Sequence, residues 1–346
     1  MKPVIAAKSF EQLLKALHQL SSKYLVVAPT TEDGVEHYRP ITQMSEEQKS
    51  QVERLSLRNQ PPLGSVKPFL FPDSEIYIEF TKKDGKLDVQ TPRASVPQII
   101  LGAKPCDVVS LELIDKVFLE DPVDGLYQEK RDNTVLIVNQ CDEMGANCRC
   151  DDFGVQRSTG SADLLMSKDE SSGKILLKAQ SEKGNILAEE LLKEGMEENP
   201  VFREPKVPVK EALESEKIQQ AMDDFFESPF WEELAMRCIG CATCTFYCPT
   251  CHCYDIRDFQ RKEQGARYRT WDSCMFPDYT RMAGGHNPRP TRKDRVQNRF
   301  YHKLSYFVKN EGALGCVGCG RCGEKCPVGI SMDTVLNRIG GEVNDK

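Results

Sequence analysis

The first half of the chain alternates short apolar runs with stretches in which apolar residues recur at helical spacing. Leucines at this spacing follow the capping pattern of Ser9 and Gln12, which predicts an amphipathic helix over residues 10–21. A second helix is predicted over residues 108–118, whose apolar residues share one face. Apolar runs bounded by turn residues predict strands at Tyr24–Ala28 (ended by Pro29), Ile76–Phe80, Ile99–Leu101 and Thr134–Asn139. This alternation is typical of an α/β domain.

Residues 157–200 are different, because they are polar and rich in Ser, Lys, Glu and Gly. A weak strand pattern at Lys174–Ala179 and a charged helix pattern near Ile186–Glu194 do not change this picture, and the stretch is predicted to be a surface excursion. The prolines of Pro200–Pro208 then predict a linker.

The second half is predicted to be helical around a cysteine-rich segment. Helices are expected over residues 211–226 and 293–308, and Gly312 provides a stop after the second, which should pack on the cysteine-rich segment. A chain of 346 residues is long enough for about two domains. The sequence therefore predicts an α+β protein in which an α/β domain over residues 1–208 precedes a mainly α-helical domain over residues 209–346.

The net charge of −7 is unevenly spread, because the part from Cys238 onward is basic and the rest is acidic. The segment Arg281–Lys303 is especially basic, which fits either a solvated helix face or a docking surface for an acidic partner. No apolar stretch is long enough to span a membrane, and the start of the chain lacks the apolar core of a signal peptide. These features predict a cytoplasmic protein without a membrane span.

One cysteine pattern occurs twice in the second half, and each copy ends in Cys-Pro. Three closely spaced thiolates can wrap one face of a [4Fe–4S] cluster, while the fourth, turned away by the proline, binds the cluster of the other copy. A zinc site would need four ligands in two pairs, which gives no reason for a third cysteine or for the proline. The pattern therefore predicts two [4Fe–4S] clusters, one bound by Cys238, Cys241, Cys244 and Cys326, and the other by Cys316, Cys319, Cys322 and Cys248.

Four further cysteines lie in the first half, where two predicted strands end. Cys106 follows the strand at Ile99–Leu101, and Cys141 follows the strand at Thr134–Asn139, with Cys148 and Cys150 close behind. Strand ends of an α/β sheet can meet at one edge, so these thiols are numerous enough for a third cluster. Their spacing matches no general signature, and unrelated buried thiols explain it equally well.

Three cysteines remain after these two groups. Cys251 and Cys253 flank His252 just beyond a predicted cluster ligand, and Cys274 lies further along the insert between the two copies. They are either thiols near the clusters, which donate weak hydrogen bonds to sulfur and shift its potential, or ligands themselves.

The residues around these cysteines resemble one known family. The match runs through Cys238–Asp255, Trp271–Phe276, Ala283–Asn287, Arg289–Arg295 and Cys316–Cys322, and it includes Asn287, Arg292 and Asp294, which no cluster chemistry demands. It extends more weakly to Gly102–Asp107 and Cys141–Cys150. This pattern resembles the iron–sulfur β subunit of cytosolic NiFe sulfhydrogenases and the related iron–sulfur subunit of anaerobic sulfite reductase.

The resemblance implies an electron-transfer subunit that joins a flavin- and NAD(P)-binding reductase subunit to a catalytic subunit of hydrogenase, sulfite reductase or heterodisulfide reductase type. Because the family pattern also has cysteines at Cys106, Cys141, Cys148 and Cys150, it implies a third [4Fe–4S] cluster there.

The sequence itself has no Gly-x-Gly-x-x-Gly after a strand, no phosphate-binding loop and no Ser/His/Asp set. We therefore expect that flavin and nicotinamide are bound by a partner and not by this chain. The alternative is a catalytic iron–sulfur subunit that acts on thiol, disulfide or sulfur substrates at an open iron or at Cys251, Cys253 and Cys274. A nucleic-acid role is disfavoured by the acidic first half.

Overall fold

The computed structural model describes residues 3–91, 95–141, 143–155, 161–199, 201–202 and 211–343, with only the backbone of residues 341–343. The predicted linker Pro200–Pro208 therefore lies outside the described residues, except for Val201 and Phe202. The strands are β1 (Val4–Ala7), β2 (Leu25–Glu32), β3 (Val35–Pro40), β4 (Ser74–Lys83), β5 (Lys86–Gln90), β6 (Gln98–Ala103), β7 (Thr134–Asn139), β8 (Leu164–Lys168), β9 (Ile175–Ala179), β10 (Glu197–Glu198), β11 (Tyr254–Arg261) and β12 (Gln264–Trp271).

The helices alternate with the strands in the first half and dominate the second. They are α1 (Phe10–Gln19), α2 (Glu46–Leu57), α3 (Pro105–Phe118), α4 (Gly125–Asp132), α5 (Glu182–Lys193), α6 (Ser215–Asp224), α7 (Phe230–Arg237), α8 (Thr243–Phe246), α9 (Arg292–Tyr301), α10 (Phe307–Glu311), α11 (Arg321–Lys325) and α12 (Met332–Val343). Among the described residues, none of the helices combines the length and apolarity needed to cross a membrane.

The first half is built on a mixed sheet of eight strands in the order β10-β1-β9-β8-β7-β6-β2-β3. The central strands β2, β6, β7 and β8 are parallel, and their neighbours towards both edges are antiparallel. Every residue of β6 and β7 is buried, since helices cover both faces of the sheet. Alternate residues of each strand face two separate cores: Ile99 and Ile137 pack with α1 and α5, whereas Ile100 and Leu136 pack with α3.

Two predictions for this half are corrected by the sheet. Pro29 is predicted to end its strand, but β2 continues to Glu32. Because β6 pairs with β2 only as far as Val27, the missing N–H of Pro29 breaks no hydrogen bond to β6. The predicted surface excursion is instead part of the core, since β8 and β9 are mostly buried strands within the sheet. Polar composition misled the prediction because the apolar residues of this stretch are confined to its two short strands and one face of α5.

The second half forms its own apolar core around Trp231, which is fully buried and packs against Phe300 and Tyr301 of α9. The predicted helix over residues 293–308 is observed as α9, a π-helical turn at His302–Tyr306 and α10, and Gly312 ends it with a positive φ of 68°. The π-helical turn is a local widening that is common at functional sites.

A β-hairpin lies between the two cysteine patterns and was not foreseen by the sequence. Its strands β11 and β12 pair with each other, and β12 also pairs with β4 of the first half, so the two halves share a second sheet in the order β11-β12-β4-β5. Arg269 of β12 is fully buried and forms ion pairs with Glu75 and Asp124 of the first half. The mixed helix and strand character agrees with the predicted fold class, but the description of the second half as mainly α-helical omitted this hairpin. The division at residue 208 stays a prediction.

Candidate iron–sulfur centres

The two copies of the cysteine pattern form two neighbouring cavities. The first cavity, called site 1, is lined by the thiols Cys238, Cys241, Cys244 and Cys326. The second, called site 2, has a volume of about 220 Å³ and is lined by Cys248, Cys316, Cys319 and Cys322. In each cavity, three cysteines come from one copy and the fourth comes from the other copy, so the structure brings together the same sets of four that the sequence predicted.

The backbone around the first cysteines of each copy is shaped in the same way. Gly240 and Gly318, each two residues after the first cysteine, have positive φ angles of 70° and 60°. Their N–H groups donate to the sulfur of that cysteine, Cys238 or Cys316, at 3.4 Å in both copies. Such N–H to sulfur bonds stabilise negative charge on a ligating thiolate. The pair of loops is therefore arranged for thiolate ligands.

The four cysteines of the first half are also brought together. Cys106 lies in the first turn of α3, and Cys141 follows β7, while Cys148 and Cys150 lie in the loop beyond. All four line one cavity, called site 3, whose lining also includes Cys319 of site 2. The loop that carries Cys148 and Cys150 is bonded directly to the second copy, because the Arg149 N–H donates to Gly318 O at 2.7 Å. Sites 2 and 3 are thus adjacent.

Several of these thiols lie in surroundings that disfavour a lone thiolate. Burial raises the pKa of the Cys319 thiol to about 12 and raises the pKa values of Cys106 and Cys316 well above their ordinary range. Two thiols are exceptions: Cys241 is exposed and its pKa is lowered by the Thr243 hydroxyl, and the Cys251 thiol lowers the pKa of the buried Cys248. Thiolates in sites 2 and 3 therefore need a positive counter-charge, which the irons of a cluster supply.

Three buried cations lie beside the cavities. Lys303, in the π-helical turn, lines site 2, and its Nζ donates to Thr250 Oγ1 at 2.7 Å and to Gly315 O at 2.9 Å. Although burial opposes it, the neighbouring sulfurs of Cys248 and Cys251 raise the pKa of Lys303 above its usual value. Arg321, between sites 2 and 3, pairs with buried Asp107 at 2.8 Å.

The third cation, Arg299 of α9, lines both site 1 and site 2 and is 3% exposed. Its Nε and Nη2 are buried and have no hydrogen-bond partner among the described residues. A buried guanidinium without an acceptor is strongly unfavourable, so the site fits a bound anion such as an iron–sulfur cluster with its thiolates. The basic segment Arg281–Lys303 is predicted from the sequence to lie on the surface, but its Arg299 and Lys303 are buried. The i, i+4 spacing of Arg299 and Lys303, within the apolar pattern of Val296 and Phe300, was the available signal that they face inward.

The remaining cysteines lie beside these cavities and line none of the three. Cys251 contacts Cys248 of site 2, and hydrogen bonding to that thiolate raises the pKa of Cys251. At the open end of the hairpin, Cys253 and Cys274 are hydrogen-bonded to each other, and the Cys274 thiol lowers the pKa of Cys253 to about 6. This placement favours thiols that interact with ligands over thiols that are ligands.

Two further observations describe the thiol groups as a whole. All 15 cysteines are among the described residues, and none of them forms a disulfide. Within the part of the chain that the structure describes, no three His, Cys, Asp or Glu side chains lie close enough together to hold a single metal ion. The thiols of each site are instead spread around a cavity, as the ligands of a cluster with four irons are.

Comparison with known proteins gives two kinds of match. Residues 237–330 match the family model of the 4Fe-4S dicluster domain, so sites 1 and 2 lie within it. Over 252 residues the chain is 33% identical to the sulfhydrogenase 2 subunit β of Pyrococcus furiosus, which covers 70% of this chain and 73% of the relative. Over 261 residues it is 22% identical to the F420-dependent formate dehydrogenase subunit β of Methanocaldococcus jannaschii, which covers 72% of this chain and 59% of that relative.

Proposed function

This chain belongs to the iron–sulfur β-subunit family of sulfhydrogenases, and we propose that it is an electron-transfer subunit of a multisubunit oxidoreductase. The observation that carries the proposal is the grouping of eight cysteines of the dicluster domain into two cavities of four. When bound, [4Fe–4S] clusters accept and release single electrons. The chain contributes thiolates to hold them, N–H groups and buried cations to balance their charge, and a protein core that keeps them at fixed positions.

We further propose that site 3 holds a third [4Fe–4S] cluster. Support comes from four thiols on three separate segments that line one cavity, an arrangement that unrelated core cysteines have no reason to adopt. Its position adds to this support, because Cys319 lines both site 3 and site 2. Arg299 lines both site 2 and site 1, so the three sites form one continuous row.

The row ends near the surface at site 1, where we propose that a redox partner docks. Cys241 is exposed there, and the adjoining Met236 and Ile239 are 78% and 58% exposed. Arg237 and Arg292 flank the same loop, since their guanidinium groups donate to Val328 O and Cys238 O. Apolar side chains within a basic rim suit an acidic partner protein.

The partners in this proposal are a flavin- and NAD(P)-binding reductase subunit and a catalytic subunit of hydrogenase, sulfite reductase or heterodisulfide reductase type. The chain is proposed to bind no flavin or nicotinamide itself, which is supported by the lack of their sequence signatures. A cytoplasmic location completes the proposal, since that compartment keeps thiols reduced for cluster assembly.

Anaerobic purification followed by iron analysis and electron paramagnetic resonance tests the function. We expect about twelve irons per chain, from three clusters of four, and signals of reduced clusters after treatment with dithionite. We also expect no reduction of viologen dyes by NAD(P)H unless a partner subunit is added. A colourless, iron-free preparation that stays silent after reduction would refute the proposal.

The competing function is catalysis on thiol or disulfide substrates. With the substrate at an open iron, one iron exchanges with added label while the rest stay bound, whereas four thiolates per cluster predict no selective exchange. With the substrate at Cys251, Cys253 and Cys274, the same function needs no open iron. At least four cysteines line each site, which favours the relay.

A further inference from the structure

The position of Arg299 goes beyond what a relay of separate clusters requires. The short helices α8 and α11, which carry the third cysteine of each copy, pack together. Those cysteines, Cys244 of site 1 and Cys322 of site 2, are the two thiols with the strongest electrostatic influence on the arginine. Arg299 lines site 1 together with Cys244 and site 2 together with Cys322, which are equivalent positions of the two copies.

The hydrogen-bonding state of Arg299 contrasts with that of its neighbour Lys303. Lys303 has protein acceptors for its ammonium group, at Thr250 and Gly315. Arg299 has a contact of its guanidinium carbon with the Phe300 ring, at 4.7 Å from the ring centre. Its Nε and Nη2, however, have no acceptor among the described residues. These two donors lie on one edge of the guanidinium, and the side chain lines two cavities.

Resting on the proposed function of sites 1 and 2, we propose that Arg299 is a positive charge shared by both clusters and sets their reduction potentials together. One fixed positive charge between two anionic centres stabilises the extra electron on either of them, so it raises both potentials. The same charge reduces the repulsion between the two centres when both are reduced. Arg299 is thus a positioning and tuning residue that makes the two sites behave as one unit.

The test is a redox titration of anaerobically reconstituted protein, followed by electron paramagnetic resonance, in three variants and the unchanged chain. Arg299→Gln removes the charge and keeps a hydrogen-bond donor, and Arg299→Lys keeps the charge and loses the fork. Lys293→Gln is the matched control, because it removes one charge from the same helix at a position that pairs with Glu232 on the surface. Iron and sulfide are measured first, so that failure to hold clusters, which concerns the proposed function, is separated from failure of this inference.

In Arg299→Gln that retains all its iron, we expect the equilibrium constant for reduction of each of the two clusters in sites 1 and 2 to fall at least tenfold. This lowers each reduction potential by about 59 mV for a one-electron couple. Arg299→Lys should lower them less, and Lys293→Gln should leave them unchanged. The signal of site 3 should not move in any variant, because Arg299 does not line that cavity.

A merely structural role would not produce this pattern. Unchanged potentials in Arg299→Gln, or a shift in one signal alone, would overturn the proposal. If Arg299→Gln fails to retain iron, the redox titration of Arg299→Lys is the deciding measurement. Loss of iron from both variants would show that the arginine is needed to build the sites and does not act by tuning them, which also overturns it.

Discussion

A matched pair of glycine substitutions tests whether the second cysteine copy and site 3 are built as one unit. Gly240 and Gly318 occupy the same position in the two copies, and both have positive φ angles. A Cβ added at Gly240 meets no atom within 4 Å. A Cβ added at Gly318 would lie 2.3 Å from Arg149 O and 2.4 Å from Arg149 C, in the loop between Cys148 and Cys150.

The two substitutions therefore differ in a single physical respect. Both Gly240→Ala and Gly318→Ala place a Cβ in the left-handed region, at about 1 kcal/mol each. Ala242, with a φ of 61°, shows that site 1 already accommodates one such residue. Only Gly318→Ala also forces the loop of Arg149 to retreat by roughly 1 Å to reach van der Waals contact. That retreat and the weakened bond from the Arg149 N–H to Gly318 O add about 2 kcal/mol.

The assay compares the two variants and the unchanged chain after anaerobic reconstitution, by iron and sulfide content and by thermal unfolding. We expect Gly240→Ala to retain all iron, and Gly318→Ala to lose about four irons per chain, because the displaced loop carries two thiols of site 3. Gly318→Ala should also unfold at the lower temperature. Equal iron content and equal unfolding temperature in the two variants would refute the coupling of site 3 to the second copy.

Three further predictions concern the sites and the joint between the two halves. Cys141→Ser should lower the iron content from about twelve to about eight per chain, whereas Cys253→Ser should leave it unchanged; equal loss in both would contradict the assignment of site 3. Arg269→Gln leaves the mostly buried carboxylate of Asp124 without its cation and Glu75 with Lys130 alone, and should destabilise the protein by about 3–5 kcal/mol in chemical denaturation. The control is Arg267→Gln, because Arg267 lies on the same strand as Arg269 but forms an exposed pair with Asp258 of β11. This variant should leave the stability unchanged. Removing iron with a chelator leaves Arg299 and Lys303 buried without the anions beside them, so the iron-free protein should be less stable by several kcal/mol, and equal unfolding temperatures with and without iron would contradict this.

Much of the fold was accessible from periodicity because the relevant residues are local in the chain. The apolar runs of β6 and β7 and the apolar face of α3 were predicted at nearly their observed positions, since full burial on two faces leaves a continuous hydrophobic signal. The hairpin of β11 and β12 was missed because most of β11 is exposed, only one residue of β12 is buried, and neither strand carries an apolar alternation. Its pairing with β4 depends on residues nearly 200 positions earlier, such as Glu75, whose ion pair with Arg269 has no local signature.

For the sites, the sequence by itself predicted the two sets of four cysteines that line sites 1 and 2, because the spacing of three cysteines and a Cys-Pro follows from the shape of a four-iron cluster and needs no knowledge of the fold. Only the tertiary structure decided that Cys106, Cys141, Cys148 and Cys150 meet in one cavity, that Cys319 joins this cavity to site 2, and that Arg299 lies between sites 1 and 2. These contacts join segments that are distant in the chain and that meet around a buried charge. The free energy that holds the segments together comes from the whole core, so no short stretch of sequence predicts the contacts.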